Sequence, residues 1–120
     1  MIEEVTPEQL ETMLGGDDSS LRIVDIRSPD AFADGHVPDS ENVPMSELPA
    51  RAAAVTDADV VVTVCPHGEA SRQAARLLSA HRGATETEIY SLKGGLAAWS
   101  NERDLAASED GHRIDSDPPF

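Results

Sequence analysis

Two kinds of hydrophobic pattern alternate along the chain. Residues 21–26 form a short apolar run with β-branched side chains, Val60–Val64 an unbroken β-branched one, and Glu88–Leu92 a further strand candidate. Runs of this kind suit strands covered on both faces, as in a parallel sheet. Between them apolar positions return at helical spacing: Ala74, Leu77, Leu78 and His81 fall at i, i+3, i+4 and i+7, which predicts a helix over 70–82. Residues 2–5 read as a further short strand. Thr6-Pro7-Glu8-Gln9 is a capping box with proline at the first helical position, opening a helix that should stop at Gly15-Gly16. Ser28-Pro29-Asp30 opens a single turn carrying Phe32. Residues 34–44 are loop-like, punctuated by Gly35, Pro38, Asn42 and Pro44. Ser46 is expected to cap an alanine-rich helix, with Pro49 limiting its first turn. Gly94-Gly95 marks a turn before a short helix over 96–99. Strands alternating with helices predict a single α/β domain.

The pattern fades after residue 101. Residues 102–120 hold six acids and two arginines and end in Pro118-Pro119-Phe120. They read as an acidic, mobile tail, with one further helical turn around Leu105, behind a domain spanning 1–101.

Composition narrows the functional classes. Leu, Ile, Val and Phe make up only 25 of 120 residues, so the core must be small and filled with alanine. Four aromatic residues leave no platform for stacking on single-stranded nucleic acid. A net charge of −14 repels phosphate backbones and anionic lipid headgroups, which disfavours nucleic-acid and membrane partners. No stretch approaches the length of a membrane helix, and the acidic N-terminus lacks the apolar region of a signal peptide. A cytoplasmic location is expected. Oligomeric state is not legible.

The single cysteine excludes an intrachain disulfide. With four scattered histidines it also falls short of the three or four convergent ligands a metal site needs, so no metal is expected. A free thiol is commonly buried and inert. Position argues otherwise here. Cys65 stands where the Val60–Val64 strand ends and a helix is about to begin, the place where open α/β sheets bind ligands. Cys65-Pro66-His67-Gly68-Glu69-Ala70-Ser71 is short enough to curl with its amides inward. Together with the following helix N-terminus those amides would cradle an anion and favour the thiolate.

Three segments, in order, resemble the rhodanese-like domain family of sulfurtransferases. Val24-Asp25-Ile26-Arg27 with Phe32, then Gly35-His36-Val37-Pro38 through Asn42-Val43-Pro44, is similar to the family's N-terminal signature. Residues 65–72 look like its active-site loop, and Leu92-Lys93-Gly94-Gly95-Leu96-Ala97-Ala98-Trp99 looks like its C-terminal signature. The resemblance spans about residues 2–101. It implies a three-layer α/β/α sandwich around a mainly parallel sheet. It also implies that Cys65 carries sulfane sulfur as a persulfide, taken from thiosulfate or a persulfide-carrying molecule or protein and passed to a thiol or cyanide. No cofactor is implied. The chain departs from the family where many loops hold an arginine or lysine. Here the internal side chains are Pro66, His67, Glu69 and Ala70, and Arg72 falls beyond Ser71. The charge of Glu69 should weaken thiosulfate binding. Asp39-Ser40, where the family often has Gly-Ala, sits in a connecting loop.

The other candidates divide between structure and chemistry. Asp25 and Arg27 are expected to form a structural pair beside the crevice, and His36 a structural hydrogen bond. His67 either meets the acceptor or faces solvent. Ser71 caps the helix or donates to the loop, Arg72 lies on the rim or on a solvated helix face, and Trp99 packs in the core. A partner-specific sulfur-relay module is the alternative function. A cysteine phosphatase or arsenate reductase is a weaker one, because its loop needs an arginine where Ser71 stands.

Lys93 is the only lysine among 23 acids and 9 basic residues, which suits a surface whose self-repulsion is screened by molar salt. Unfolding followed from low to molar salt is expected to show stability rising with salt; equal stability at both ends would refute halophilic adaptation.

Overall fold

The apolar runs pair into one five-stranded, all-parallel sheet in the order β1-β5-β4-β2-β3. Its strands are β1 (Glu3–Val5), β2 (Leu21–Asp25), β3 (Glu41–Asn42), β4 (Val60–Val64) and β5 (Glu88–Leu92). The helices are α1 (Pro7–Gly15), α2 (Pro29–Asp34), α3 (Leu48–Val55), α4 (Ala70–Ser79) and α5 (Gly95–Ser100). This is a computed structural model, which describes residues 2–16, 20–81 and 86–107. Among them no helix is long and apolar enough to cross a membrane.

The unbroken run of β4 is explained by burial on both faces. Val61 packs with Leu48, Ala52, Val55, Ala74 and Leu78 from α3 and α4. Val62 and Val64 point the other way, into a core with Leu10 of α1 and Leu96 and Trp99 of α5. The alternation is that of any strand, with both sides dry. Five alanines, Ala33, Ala52, Ala58, Ala74 and Ala75, are buried, as the scarcity of larger apolar residues requires. Trp99 is buried too and donates its indole N–H to Asp104 O.

Local signals were read well where they act alone. Thr6 and Gln9 form the full capping box, and Ser28 accepts from Ala31 N at α2. Four expectations are corrected. Ser46 does not cap α3: the chain enters through a 3-10 turn, Met45–Glu47, and no side chain caps the helix. Pro49 in its first turn lacks an amide that a cap would satisfy, and fully buried Leu48 anchors the start instead. α4 stops at Ser79, so His81 lies beyond the helix its spacing suggested, and residue 82 is outside the described residues. The loop over 34–44 contains β3, too short and polar to show periodicity. Arg22 lashes that edge by two 2.7 Å bonds to Glu41, which raise the arginine further above its ordinary pKa.

No helical turn forms at Leu105. Ala106 and His36 instead exchange two 2.8 Å backbone hydrogen bonds in an antiparallel bridge. Arg103 lies over Trp99, 5.4 Å from the ring centre, and bonds Glu11. Residues 108–120, most of the expected tail, are outside the described residues.

Strand order places the site. β2 leads outward to β3 on one side, while β4 leads through α4 to β5 on the other. The connections diverge between β2 and β4, which opens a crevice at their carboxyl ends.

Candidate functional site

Cys65 follows the last residue of β4, and its segment curls back before α4 begins at Ala70. Gly68, at φ +94°, turns its amide onto the sulfur and donates at 2.9 Å. The Ser71 hydroxyl lies 3.2 Å from Sγ on its inner side. The amide donates to the sulfur, while the Ser71 hydroxyl oxygen stands where it accepts the thiol proton. Of the amides expected to ring Cys65, Gly68 N is the one that bonds the sulfur itself among the described residues.

A second segment holds this loop. Leu96 N donates to Cys65 O at 2.8 Å, and Ala97 N to Pro66 O at 3.0 Å. The first turn of α5 therefore spends its unpaired amides on the loop's carbonyls. For the backbones to come this close Gly95 must lack a side chain. A Cβ there would strike Cys65 O, and would lie 2.6 Å from Gly68 N and 2.7 Å from His67 N. Gly95 also sits at φ +65°, a conformation other residues resist. The sequence pattern showed a turn at Gly94-Gly95. It did not show that the turn braces the cysteine.

Cys65 is 1% exposed, yet it forms part of the floor of a cavity of about 430 Å³ between the β2 and β4 ends. Ile26, Ala31, Met45, Pro66 and Ala70 give that cavity apolar walls, with Ser28 and Arg27 beside them. Of the expected site residues it thus brings together Cys65, Pro66, Ala70 and Arg27, with Gly68 and Ser71 behind the sulfur. His67, Glu69 and Arg72 are exposed and do not line the cavity.

Among the described residues Arg27 is the one cationic side chain lining the cavity, and much of its charge is engaged. Its Nε and Nη2 bond both oxygens of fully buried Asp25 at 2.8–3.1 Å, and Nη2 also reaches Gly35 O. Asp25 additionally accepts from Arg27 N. Asn42 Nδ2 donates to the carbonyls of both Asp25 and Arg27, tying β3 to the turn. Buried ion pairs of this kind fix geometry more surely than they stabilise the fold. His36 lies elsewhere: it stacks on Phe32 at 3.8 Å, and its ring bonds Phe32 O at 2.7 Å. Among the described residues no group of three or more His, Cys, Asp and Glu converges as metal ligands would.

The sequence reading missed Ser91. Its hydroxyl meets that of Ser71 at 2.7 Å, and both residues are fully buried. The available signal was a lone serine in the otherwise buried end of β5.

The profile of the rhodanese-like domain family matches residues 6–102. The thiosulfate sulfurtransferase GlpE of Stutzerimonas stutzeri is 36% identical over 95 residues, covering 79% of this chain and 82% of that protein. A sulfurtransferase of Allochromatium vinosum is 34% identical over 101 residues, covering 83% and 90%. Among solved structures, a rhodanese-like domain from Anabaena superposes with a TM-score of 0.73 at 25% identity, covering 98% of this chain and 87% of that one.

Gly95→Ala tests the brace. It is expected to cost about 2 kcal/mol or more of stability and to change the reactivity of the Cys65 thiol, read by thermal unfolding and by the rate of thiol alkylation. Wild-type behaviour in both would show that the close approach is dispensable.

Proposed function

The chain belongs to the rhodanese-like domain family and is a sulfurtransferase of the rhodanese type; on that premise we propose that it carries sulfane sulfur as a persulfide on Cys65. The supporting observation is a lone thiol held by Gly68 N–H and the Ser71 hydroxyl at the floor of a cavity between two strand ends. The Cys65 thiolate attacks the outer sulfur of the donor. The donor's S–S bond breaks, its electron pair leaves on the departing thiolate or sulfite, and Cys65–S–S⁻ forms. An acceptor thiolate or cyanide then attacks the outer sulfur, and the pair returns to Cys65 Sγ. Sulfur changes owner with no external oxidant or reductant, in a two-step nucleophilic exchange. The N-terminus of α4 and the loop amides favour the anionic outer sulfur.

The cavity's chemistry favours one class of donor. Its walls are apolar, its one cation is already paired with Asp25, and Glu69 adds negative charge to the loop. A persulfide on a small organic molecule or on a protein suits such walls better than the compact thiosulfate dianion. A relay to one docked protein partner is the second reading, favoured by Met45 and Pro66 forming an apolar wall beside the sulfur. Against a phosphatase stands Arg72, which is exposed and outside the cavity, leaving an oxyanion no bidentate fork. The catalytic unit is the segment over 1–101, with the acidic segment beyond it accessory. A reducing, cytoplasmic setting suits a single nucleophilic thiol.

Intact-protein mass spectrometry tests the reading. Incubation with thiosulfate or glutathione persulfide is expected to add one sulfur at Cys65, removable by cyanide, with the persulfide loading faster. Cys65→Ser is expected to abolish loading while folding stays nearly unchanged; full transfer by that variant would end the mechanism. Glu69→Lys is expected to lower the thiosulfate KM by about two- to fivefold through reversed local charge. An unchanged or higher KM would overturn the loop electrostatics.

A further inference from the structure

Behind the sulfur lies a short polar chain in an otherwise apolar layer. Cys65 Sγ lies 3.2 Å from Ser71 Oγ, which lies 2.7 Å from Ser91 Oγ, and all three residues are at most 1% exposed. Thr63 and Ser91 are register partners on β4 and β5, and both direct hydroxyls at Ser71. Thr63 Oγ1 donates to the Ser71 carbonyl at 2.7 Å, with Tyr90 O a more distant acceptor at 3.3 Å for the same proton. Thr63 therefore anchors the first turn of α4. Ser91 meets the side chain alone.

The direction of donation along this chain depends on the charge of the sulfur. Each hydroxyl has one proton to give. If the thiol donates to Ser71, Ser71 donates to Ser91, and the Ser91 proton has no acceptor among the described residues. If donation runs the other way, from Ser91 to Ser71 and from Ser71 to sulfur, both protons are used and both end on the sulfur side. An unpaired buried hydroxyl is costly, and a donor aimed at an anion is worth more than one aimed at a neutral atom. Hydrogen bonds in series also strengthen one another in a dry interior.

We propose that Ser91 is a positioning residue for sulfur transfer: through Ser71 it polarises a two-hydroxyl chain toward Cys65 Sγ and stabilises charge on that sulfur. It rests on Cys65 as the sulfur carrier and assigns the chain's effect to a particular half-reaction. While Cys65–S–S⁻ is loaded, the charge sits on the outer sulfur and Sγ has little to accept. When an acceptor thiolate attacks the outer sulfur, the Sγ–S bond breaks and its electron pair arrives on Sγ. There the Gly68 amide and the hydroxyl chain receive it. Sγ is then the leaving group, and a leaving thiolate departs faster when it is better stabilised.

The test uses Ser91→Ala, Ser71→Ala and the double variant. Two quantities are read: the pH midpoint of thiolate ultraviolet absorbance, clean because the chain has one cysteine, and the single-turnover rate of persulfide discharge to a thiol. Ser91→Ala is expected to raise the midpoint by about half a unit to one unit and to slow discharge about threefold to tenfold. Ser71→Ala is expected to do both at least as strongly. In the Ser71→Ala background, Ser91→Ala is expected to add nothing, the non-additivity of residues acting in series. Thr63→Val, which removes the backbone anchor but keeps both serines, is expected to lower the unfolding temperature without moving the midpoint. An unmoved midpoint in Ser91→Ala, an undiminished effect of Ser91→Ala after Ser71→Ala, or an equal shift in Thr63→Val would each overturn the proposal. Wild-type protein that never takes up sulfur would instead overturn the carrier role of Cys65, an outcome the midpoints do not depend on.

Discussion

The site depends on one close approach, between the backbone of the cysteine loop and the first turn of α5. Two amides of that turn, Leu96 N and Ala97 N, bond the carbonyls of Cys65 and Pro66, and Gly95 admits the contact by having no side chain. This clasp serves both partners at once. A short helix must dispose of its first amides, and a tightly curled loop must dispose of its carbonyls. Each supplies what the other lacks. With the carbonyls directed to α5, the loop can turn Gly68 N–H inward to the sulfur. The cysteine loop and the segment around Gly94-Gly95 are thus one structural unit, joined through space by the parallel pairing of β4 and β5.

Charge is handled on two scales. The whole chain carries −14, so long-range fields repel anions. Within a few ångströms of Sγ the local partners are uncharged, an amide N–H from Gly68 and the Ser71 hydroxyl, and the long-range field is one that salt screens. The one arginine at the cavity is held by Asp25, which makes it more a wall than an anion receptor. What the cavity offers an entering molecule is therefore mainly its apolar walls, with the exposed carboxylate of Glu69 outside it. The sulfur itself is shielded on its inner side and served from one cavity.

How far the molecule was legible depended on the range of the forces involved. The capping box at Thr6, the helical start at Ser28-Pro29-Asp30 and the strand run of β4 are legible because each is decided within a few residues. Three readings went astray where a distant partner decides. Ser46 looks like a cap, but burial of Leu48 and the amide-free Pro49 start α3 elsewhere. β3 is a strand only because β2 lies beside it and Arg22 grips Glu41. His81 continues a helical spacing, yet α4 has ended two residues earlier. At the site Cys65 could be singled out, since a thiol between a strand and a glycine-bearing turn is a local feature. Asn42, Gly95 and Ser91 could not, because their roles lie in what they touch across the sheet.

By itself the sequence determined an α/β alternation, a small alanine-filled core, a strongly acidic composition and one thiol at a strand end. These follow from side-chain period, composition and position, which need no knowledge of neighbours distant in the chain. Only the tertiary structure decided the strand order, the cavity between β2 and β4, the brace from Gly95 and the two serines behind the sulfur. A hydrogen bond between residues 71 and 91 exists only once β5 has been laid beside β4 and α4 folded over both. Such a contact is a property of packing, and no local pattern encodes it.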